Sequence, residues 1–270
     1  MDRIDLQLLN LLRQRTRVSE KIGQTKIRHG LDIYVPGRER ELLARVRARA
    51  KGALTVPAVT AIYREILSAS RAAQGQPPIG VLASTAEAAI ASARSSFGAC
   101  DHFVAKKSWR ELALGLKSRK LALSIVTGED LLDVVESSPD ATSFTETFAV
   151  VGEISPLAST EPLAGTPLFI ITPRSAALTA PADRLLILIE CKPALNAVKT
   201  LLKPMADRFN KAELCARSTG GGTSHSLVRL ATSTPFELSF MSKWLQVAAK
   251  PSGLKVTILG IYPGSEIYGG

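Results

Sequence analysis

The sequence predicts a multidomain protein, with an all-helical N-terminal domain, a shortened α/β domain and a ferredoxin-like α+β domain. Over residues 1–76 the apolar residues recur at three- and four-residue steps, which is typical of amphipathic helices. Residues 77–182 alternate short apolar strands with helices, which predicts an α/β sheet with parallel pairs. Residues 183–270 follow the order β-α-β-β-α-β. At 270 residues and 46% hydrophobic residues, the chain can form two or more domains.

The composition predicts a cytoplasmic protein. No apolar run reaches the length of a membrane span. Asp2, Arg3 and Asp5 interrupt the N-terminus, so we expect no signal peptide. The three cysteines are widely spaced and odd in number, which fits a reducing compartment without a disulfide framework.

Positive charge is concentrated in residues 1–76, with 15 Lys and Arg against 7 Asp and Glu, or +8 of the net +10. Such a segment binds nucleic acid, an acidic membrane or a small anion. Tyr34 and Tyr63 are its only aromatic residues, so stacking on bases is not expected and nucleic acid is not the expected partner. We expect no membrane partner either, and a small anion remains. Much of the charge fits a solvated helix face, made up of Arg13, Arg17, Arg45, Arg49 and Lys51.

The first predicted helix, from Ile4 to Lys26, has two cations on its apolar stripe. Arg15 and Lys26 stand where the pattern requires apolar residues. A cation on a buried stripe is costly unless an anion meets it, so the pair indicates a pocket for a negatively charged ligand. The apolar members of the stripe are Ile4, Leu8, Leu11, Val18 and Ile22.

Two more predicted helices also carry polar groups on their inner faces. The second helix begins at Pro36, which suits a first helical turn. The inner-face polar residues of the three helices include no nucleophile–base pair and no histidine, so we expect neither covalent catalysis nor proton abstraction. The remaining possibility is that these residues bind a polyanion and stabilise charge that shifts within it. These residues are Arg15, Lys26, Arg38, Glu39, Ser70 and Gln74.

The runs IDLQLLNLLRQR, KIGQTK, IYVPGRERELL and IYREILSASRAAQ resemble the all-helical class of chorismate mutase. The resemblance covers about residues 1–76 and is closest to the version fused to prephenate dehydratase. It implies conversion of chorismate to prephenate in phenylalanine or tyrosine biosynthesis, by a pericyclic rearrangement that needs no cofactor. It also implies a homodimer with intertwined N-terminal helices, as expected for a three-helix unit that cannot cover its own apolar stripe.

The resemblance implies a catalytic role for four residues. Arg15 binds a substrate carboxylate. Lys26 reaches a carboxylate and the ether oxygen on which negative charge develops, and Gln74 donates to that same oxygen. Glu39 meets the ring hydroxyl.

Three further residues are implied in substrate binding. Arg38 holds the charge network of the site, and Ser70 contacts a carboxylate. Val35 replaces an acidic residue of some members, so a contact there comes from its backbone. The family also carries an Arg a few residues before the Ile4-Asp5 motif, which reaches the partner subunit's pocket. Arg3 is the nearest one here, but it lies more than a helical turn away from that position. Either the chain starts further upstream, or the site works with one guanidinium fewer.

The segment 77–182 resembles a degenerate prephenate dehydratase domain through Phe97-Gly98, the helix at Trp109 and the run VVGEISPLA. The family's glycine-rich opening is replaced by Leu82-Ala83-Ser84. Its Thr-Arg-Phe triplet appears as Thr166-Pro167-Leu168. We therefore expect no dehydratase activity.

The segment 183–270 resembles an amino-acid-binding ACT domain, best at the closing Leu259–Pro263. The family's effector turn appears as Pro193–Asn196, without its Gly. Its Glu-Ser-Arg-Pro motif appears as Leu214–Arg217. We expect this segment to have a structural or dimer-forming role rather than to bind an amino-acid effector. A hairpin is predicted at Gly220–Gly222.

Two alternative functions remain open from the sequence. The same helical fold supports isochorismate–pyruvate lyase, and the eroded later segments fit a non-catalytic regulatory or binding protein. No metal site is predicted, because His29, His102 and His225 share no ligand-like spacing.

Overall fold

The computed structural model describes residues 1–137, 141–156, 166–174, 182–192, 209–220, 222–236 and 254–264. The chain forms two compact units, of which the first is Met1–Leu123 and the second begins at Ser124. The division at residues 76/77 and 182/183 remains a prediction. In the described ranges, no helix is both long and apolar enough to cross a membrane.

The first unit begins with the three predicted helices: α1 (Asp2–Arg28), α2 (Pro36–Arg47) and α3 (Val56–Ala73). A proline stands in the first turn of both α2 and α3, where its missing N–H leaves no hydrogen bond unmade. Thr55 caps α3 by accepting a hydrogen bond from the Ala58 backbone N–H at 3.4 Å. The helical prediction for this region is therefore confirmed.

Within the single chain, the buried face of α1 consists of small residues that the sequence did not indicate. Its buried residues are Ser19 and Gly23, and Arg15 and Lys26 lie half-buried beside them. Small residues let the backbone of α3 come close, so the contact face of α1 runs through them. The larger apolar residues of the predicted stripe are exposed in the single chain, by 43% to 64%: Ile4, Leu8, Leu11, Val18 and Ile22.

The rest of the first unit is a β-α-β-α segment: β1 (Ile79–Leu82), α4 (Ala86–Phe97), β2 (Phe103–Lys106) and α5 (Trp109–Lys117). Strands β1 and β2 form a parallel pair, with Ile79 opposite Phe103, although no strand was predicted at residues 103–106. Helix α4 ends at Gly98, whose φ of +107° favours glycine. This segment supplies a turn, residues 98–101, between α4 and β2.

The chain continues with β3 (Leu123–Thr127), α6 (Gly128–Glu136), α7 (Ala141–Thr147), β4 (Phe148–Ile154) and β5 (Leu168–Pro173). Strand β5 lies between β3 and β4 and is antiparallel to both. The expectation of parallel pairs is wrong for β5. The helical connection returns β4 parallel to β3 but one place away, and the gap takes a strand of opposite direction.

The last four strands are β6 (Ala182–Cys191), β7 (Lys211–Gly220), β8 (Thr223–Phe236) and β9 (Lys255–Tyr262). Their order β9-β6-β8-β7, with antiparallel neighbours, agrees with the strand order of the predicted ferredoxin-like segment. The two helices predicted there, and the predicted turn at Pro193–Asn196, lie outside the described residues. Gly220 pairs with Thr223 across the predicted β7–β8 hairpin.

Candidate active site

A cavity of about 290 Å³ lies among the three N-terminal helices. Helices α1, α2 and α3 and the segment before α2 all contribute to its wall. The structure brings all seven predicted site residues together around this cavity: Arg15, Lys26, Val35, Arg38, Glu39, Ser70 and Gln74. Their individual roles in binding and catalysis remain predictions.

The wall also contains residues that the sequence analysis did not select. The important ones are the cations Arg45 and Arg71, of which Arg45 was assigned to the solvated helix face but also lines the cavity. Arg45 follows Arg38 by seven residues, two helical turns, and this spacing was a usable signal. The apolar and small part of the wall consists of Ser19, Ile22, Ile33, Leu42 and Leu67.

The cations from α1 are held by backbone carbonyl groups. Arg15 Nη1 donates to the Ile66 oxygen at 3.4 Å, and Lys26 Nζ donates to the Ile33 oxygen at 2.9 Å. Carbonyl oxygens orient these side chains without neutralising them. Both cations therefore remain available to an anion.

The electrostatics of the cavity favour an anionic ligand. Burial lowers the pKa of Lys26, and the nearby Arg38 lowers it further, against the opposing effect of Glu39. Burial also lowers the pKa of Arg15, partly offset by Tyr63 and Glu39. Because both cationic forms are disfavoured in the folded chain, a bound carboxylate would relieve that cost.

Glu39 is fixed by Arg71, a residue that the sequence analysis missed. Arg71 Nη1 donates to Glu39 Oε2 at 2.6 Å, and the Arg71 side chain is only 3% exposed. Burial lowers the pKa of Arg71, but the Glu39 and Asp101 carboxylates outweigh it, so that pKa lies above its ordinary value. Arg71 directly follows Ser70, and this adjacency to a predicted site residue was the only signal in the sequence.

The polar groups of α3 donate to their own helix. Ser70 Oγ donates to the Ile66 oxygen at 2.7 Å, and Gln74 Nε2 donates to the Ser70 oxygen at 3.1 Å. These contacts place both side chains at the C-terminal end of α3, on the cavity wall. A ligand that accepts a hydrogen bond from Gln74 replaces one such contact.

The arrangement can bind a small polyanion and stabilise charge that moves within it. The described residues that line the cavity include neither His nor Cys. Across the described ranges of the chain, no group of three or more His, Cys, Asp or Glu could hold a metal ion. The wall thus provides donors and cations, with Glu39 as its carboxylate.

Comparison with known proteins gives the class of this helical region. Residues 1–75 match the family described as chorismate mutase type II. The N-terminal part of the chain is a chorismate mutase type II domain.

Two curated relatives extend this result. The chain is 28% identical over 139 residues to a bifunctional chorismate mutase/prephenate dehydratase of Aquifex aeolicus, across 50% of this chain and 38% of that protein. It is 46% identical over 57 residues to the T-protein of Enterobacter agglomerans, across 21% of this chain and 15% of that protein. The chain therefore spans well under half the length of either relative.

Two solved structures overlay on most of the chain. Prephenate dehydratase from Streptococcus mutans gives a TM-score of 0.46 at 15% identity, across 70% of this chain and 98% of that one. A quorum-quenching acylase gives 0.47 at 15% identity, across 68% and 94%. Neither TM-score is high enough to establish a shared fold.

Proposed function

We propose that this protein converts chorismate to prephenate, as a step in aromatic amino acid biosynthesis. The observation that carries the proposal is the convergence of Arg15, Lys26, Glu39, Ser70 and Gln74 on one cavity of the chorismate mutase type II domain. The named activity of the Aquifex aeolicus relative supports the same reaction.

The rearrangement moves electrons within one molecule. The protein therefore needs to hold the substrate in its reactive shape and to stabilise the charge that develops on it. Arg15 binds one carboxylate of the substrate, Ser70 contacts a carboxylate, and Arg38 holds the charge network of the site. Lys26 and Gln74 donate to the ether oxygen as its bond to the ring breaks. Glu39 accepts a hydrogen bond from the ring hydroxyl. No cofactor takes part.

The test is loss of the ultraviolet absorbance of chorismate with the purified full chain, followed by chromatographic identification of the product. Prephenate as the product supports the proposal. Pyruvate released from isochorismate would instead identify a lyase. Calorimetric binding of chorismate without turnover would favour a non-catalytic binding protein.

A homodimer through the N-terminal helices is part of the proposal. The exposed apolar residues of α1 support it, because a stripe of this kind on a monomer is costly to leave in water. A second copy of α1 is apolar in the same way and buries the stripe symmetrically.

For residues 77–270 we propose a role without dehydratase chemistry. Pro167 and Leu168 stand where the dehydratase triplet has Arg and Phe, so the guanidinium of that triplet is absent. We further propose that the last four strands belong to an ACT-like module with a structural role, and that the protein works in the cytoplasm. Calorimetry with phenylalanine, giving no heat of binding, is the expected result.

A further inference from the structure

The Glu39 carboxylate lies among cations that the proposed reaction needs. Arg15 and Lys26 both feel its charge, which acts against the lowering of their pKa values. A freely rotating Glu39 would pair with one of them and neutralise a group that must meet the substrate. The fold must therefore hold the Glu39 carboxylate away from these two cations.

Arg71 holds the Glu39 carboxylate in place. Its Nη1 holds Glu39 Oε2 at 2.6 Å, while Lys26 Nζ donates to the Ile33 oxygen instead. Arg71 itself is fixed on every side. Its Nη2 donates to the Phe97 oxygen at 2.5 Å, and its guanidinium carbon lies 5.5 Å from the centre of the Phe97 ring.

Asp101 holds the other edge of the same guanidinium. Arg71 Nε donates to Asp101 Oδ1 at 3.1 Å, and Nη2 donates to Oδ2 at 2.7 Å, a bidentate pair of fixed geometry. The Asp101 side chain is 1% exposed. Its orientation is set in turn by Ser68 Oγ at 2.7 Å and Gln76 Nε2 at 3.1 Å.

Asp101 lies beyond residues 1–75, which match the chorismate mutase family. It belongs to the turn between α4 and β2, and the same turn contacts α3 again where the Ala99 N–H donates to Glu65 Oε2 at 2.9 Å. A residue of the following segment thus reaches Glu39 through a single buried guanidinium.

We propose that Arg71 and Asp101 are positioning residues for the mutase site, which hold Glu39 toward the substrate and away from Lys26 and Arg15. This inference rests on the proposed function. It makes turnover in the N-terminal domain depend on the segment that follows it. Asp101 balances the charge of Arg71, so that Glu39 keeps its own negative charge for the cavity.

The test is a double-substitution cycle in the full chain. Asp101→Asn should lower kcat about 5- to 50-fold with KM changed less than about threefold, because the substrate carboxylates still meet their cations. In a Glu39→Gln background, Asp101→Asn should have no further effect on kcat, since its influence passes through Glu39. A purely structural role would lower kcat by the same factor in both backgrounds and would overturn the inference.

Glu65→Gln is the matched control, because it weakens a contact between the same turn and α3 without touching Arg71. It should leave kcat and KM within about twofold of the unsubstituted protein. If Asp101→Asn fails to fold by circular dichroism, Arg71→Lys replaces it. That variant keeps the charge, loses the bidentate pair and should lower kcat in the same way.

The outcomes separate the two proposals. An unsubstituted chain that does not convert chorismate overturns the proposed function, and this inference with it. Normal turnover that neither Asp101→Asn nor Arg71→Lys reduces overturns this inference alone.

Discussion

Gly23 of α1 lies directly against the backbone of Gln74, at the end of α3. A Cβ atom on Gly23 would be 2.3 Å from the Gln74 carbonyl oxygen and 2.5 Å from its Cα. The two helices touch at this point, and both Gln74 and Lys26, one turn beyond Gly23, line the cavity. The spacing of α1 and α3 is therefore set by the absence of a side chain.

We expect Gly23→Ala to separate the two helices at the cavity. Overpacking of this kind costs about 1–3 kcal/mol of the free energy of unfolding. Displacement of the Gln74 and Lys26 donors should lower kcat by more than about tenfold. Urea denaturation and chorismate turnover measure the two effects. Gly220→Ala, whose Cβ would meet nothing within 4 Å, should change neither.

The turnover of chorismate should fall at alkaline pH with the loss of charge on Lys26. Burial and the neighbouring Arg38 lower the pKa of Lys26 from its ordinary value of 10.5, so the ammonium form is lost earlier as pH rises. Below that lowered pKa the charge is present and kcat/KM is at its plateau. A pH profile from neutral to strongly alkaline conditions measures this midpoint.

Substitutions at Lys26 identify the titrating group. Lys26→Ala should lower kcat by about 10²–10³-fold, as for other single donors to developing negative charge. Lys26→Arg, where it retains turnover, should shift the alkaline fall of kcat/KM to higher pH because guanidinium stays charged. An unchanged midpoint in Lys26→Arg would assign the titration to a different group.

The exposed stripe of α1 should be the dimer contact. Leu11 is 61% exposed in the single chain, and Leu11→Glu would place a charge in the dimer core. Loss of one leucine from each copy should cost about 3 kcal/mol or more, which is about 100-fold in the dissociation constant. Light scattering should give twice 28.8 kDa for the unsubstituted chain and a larger share of monomer for Leu11→Glu.

Leu114 offers the matched control for that experiment. It is 59% exposed on α5, outside the α1 stripe, so Leu114→Glu should leave the mass unchanged. A monomeric mass for the unsubstituted chain at micromolar concentration would contradict the dimer.

Cys100 and Cys215 should differ widely in reactivity. Cys100 is exposed, whereas burial and the nearby Glu153 raise the pKa of Cys215 to about 12. Because the thiolate is the nucleophile, iodoacetamide at mildly alkaline pH should label Cys100 first and leave Cys215 unmodified. Intact mass and peptide mapping follow the labelling, and Cys100→Ser should remove the fast phase. Early labelling of Cys215 would show that its thiol is more open than this geometry allows.

The sequence was sufficient for the three N-terminal helices, which depend on local periodicity, and for seven residues of the cavity wall. Arg15 and Lys26 were recognisable as cations out of pattern on one helix. Arg71 was not, since its partner Asp101 is 30 residues away and a pairing at that distance leaves no periodic signal. The contact of α1 with α3 within the chain was not predicted for a related reason, because Ser19 and Gly23 make it by being small.

In the sheet, too, local features can be predicted from the sequence, whereas pairings between distant segments cannot. Helix α6 has a local signal that was overlooked, the capping box in which Thr127 and Asp130 bond each other's backbone N–H groups. The antiparallel placement of β5 has no local signal in the sequence. It depends on which strand fills the gap between β3 and β4, and strand composition carries no direction.

The placement of β5 also bears on how the chain is made. Strands β3 and β4 leave the ribosome before Leu168–Pro173, yet each has an edge that only β5 covers. A nascent chain halted between these points exposes two open edges at once, and open edges promote aggregation. Synthesis through residue 173 supplies the strand that covers these two edges, while the other edge of β4 stays open until β9 (Lys255–Tyr262) is made.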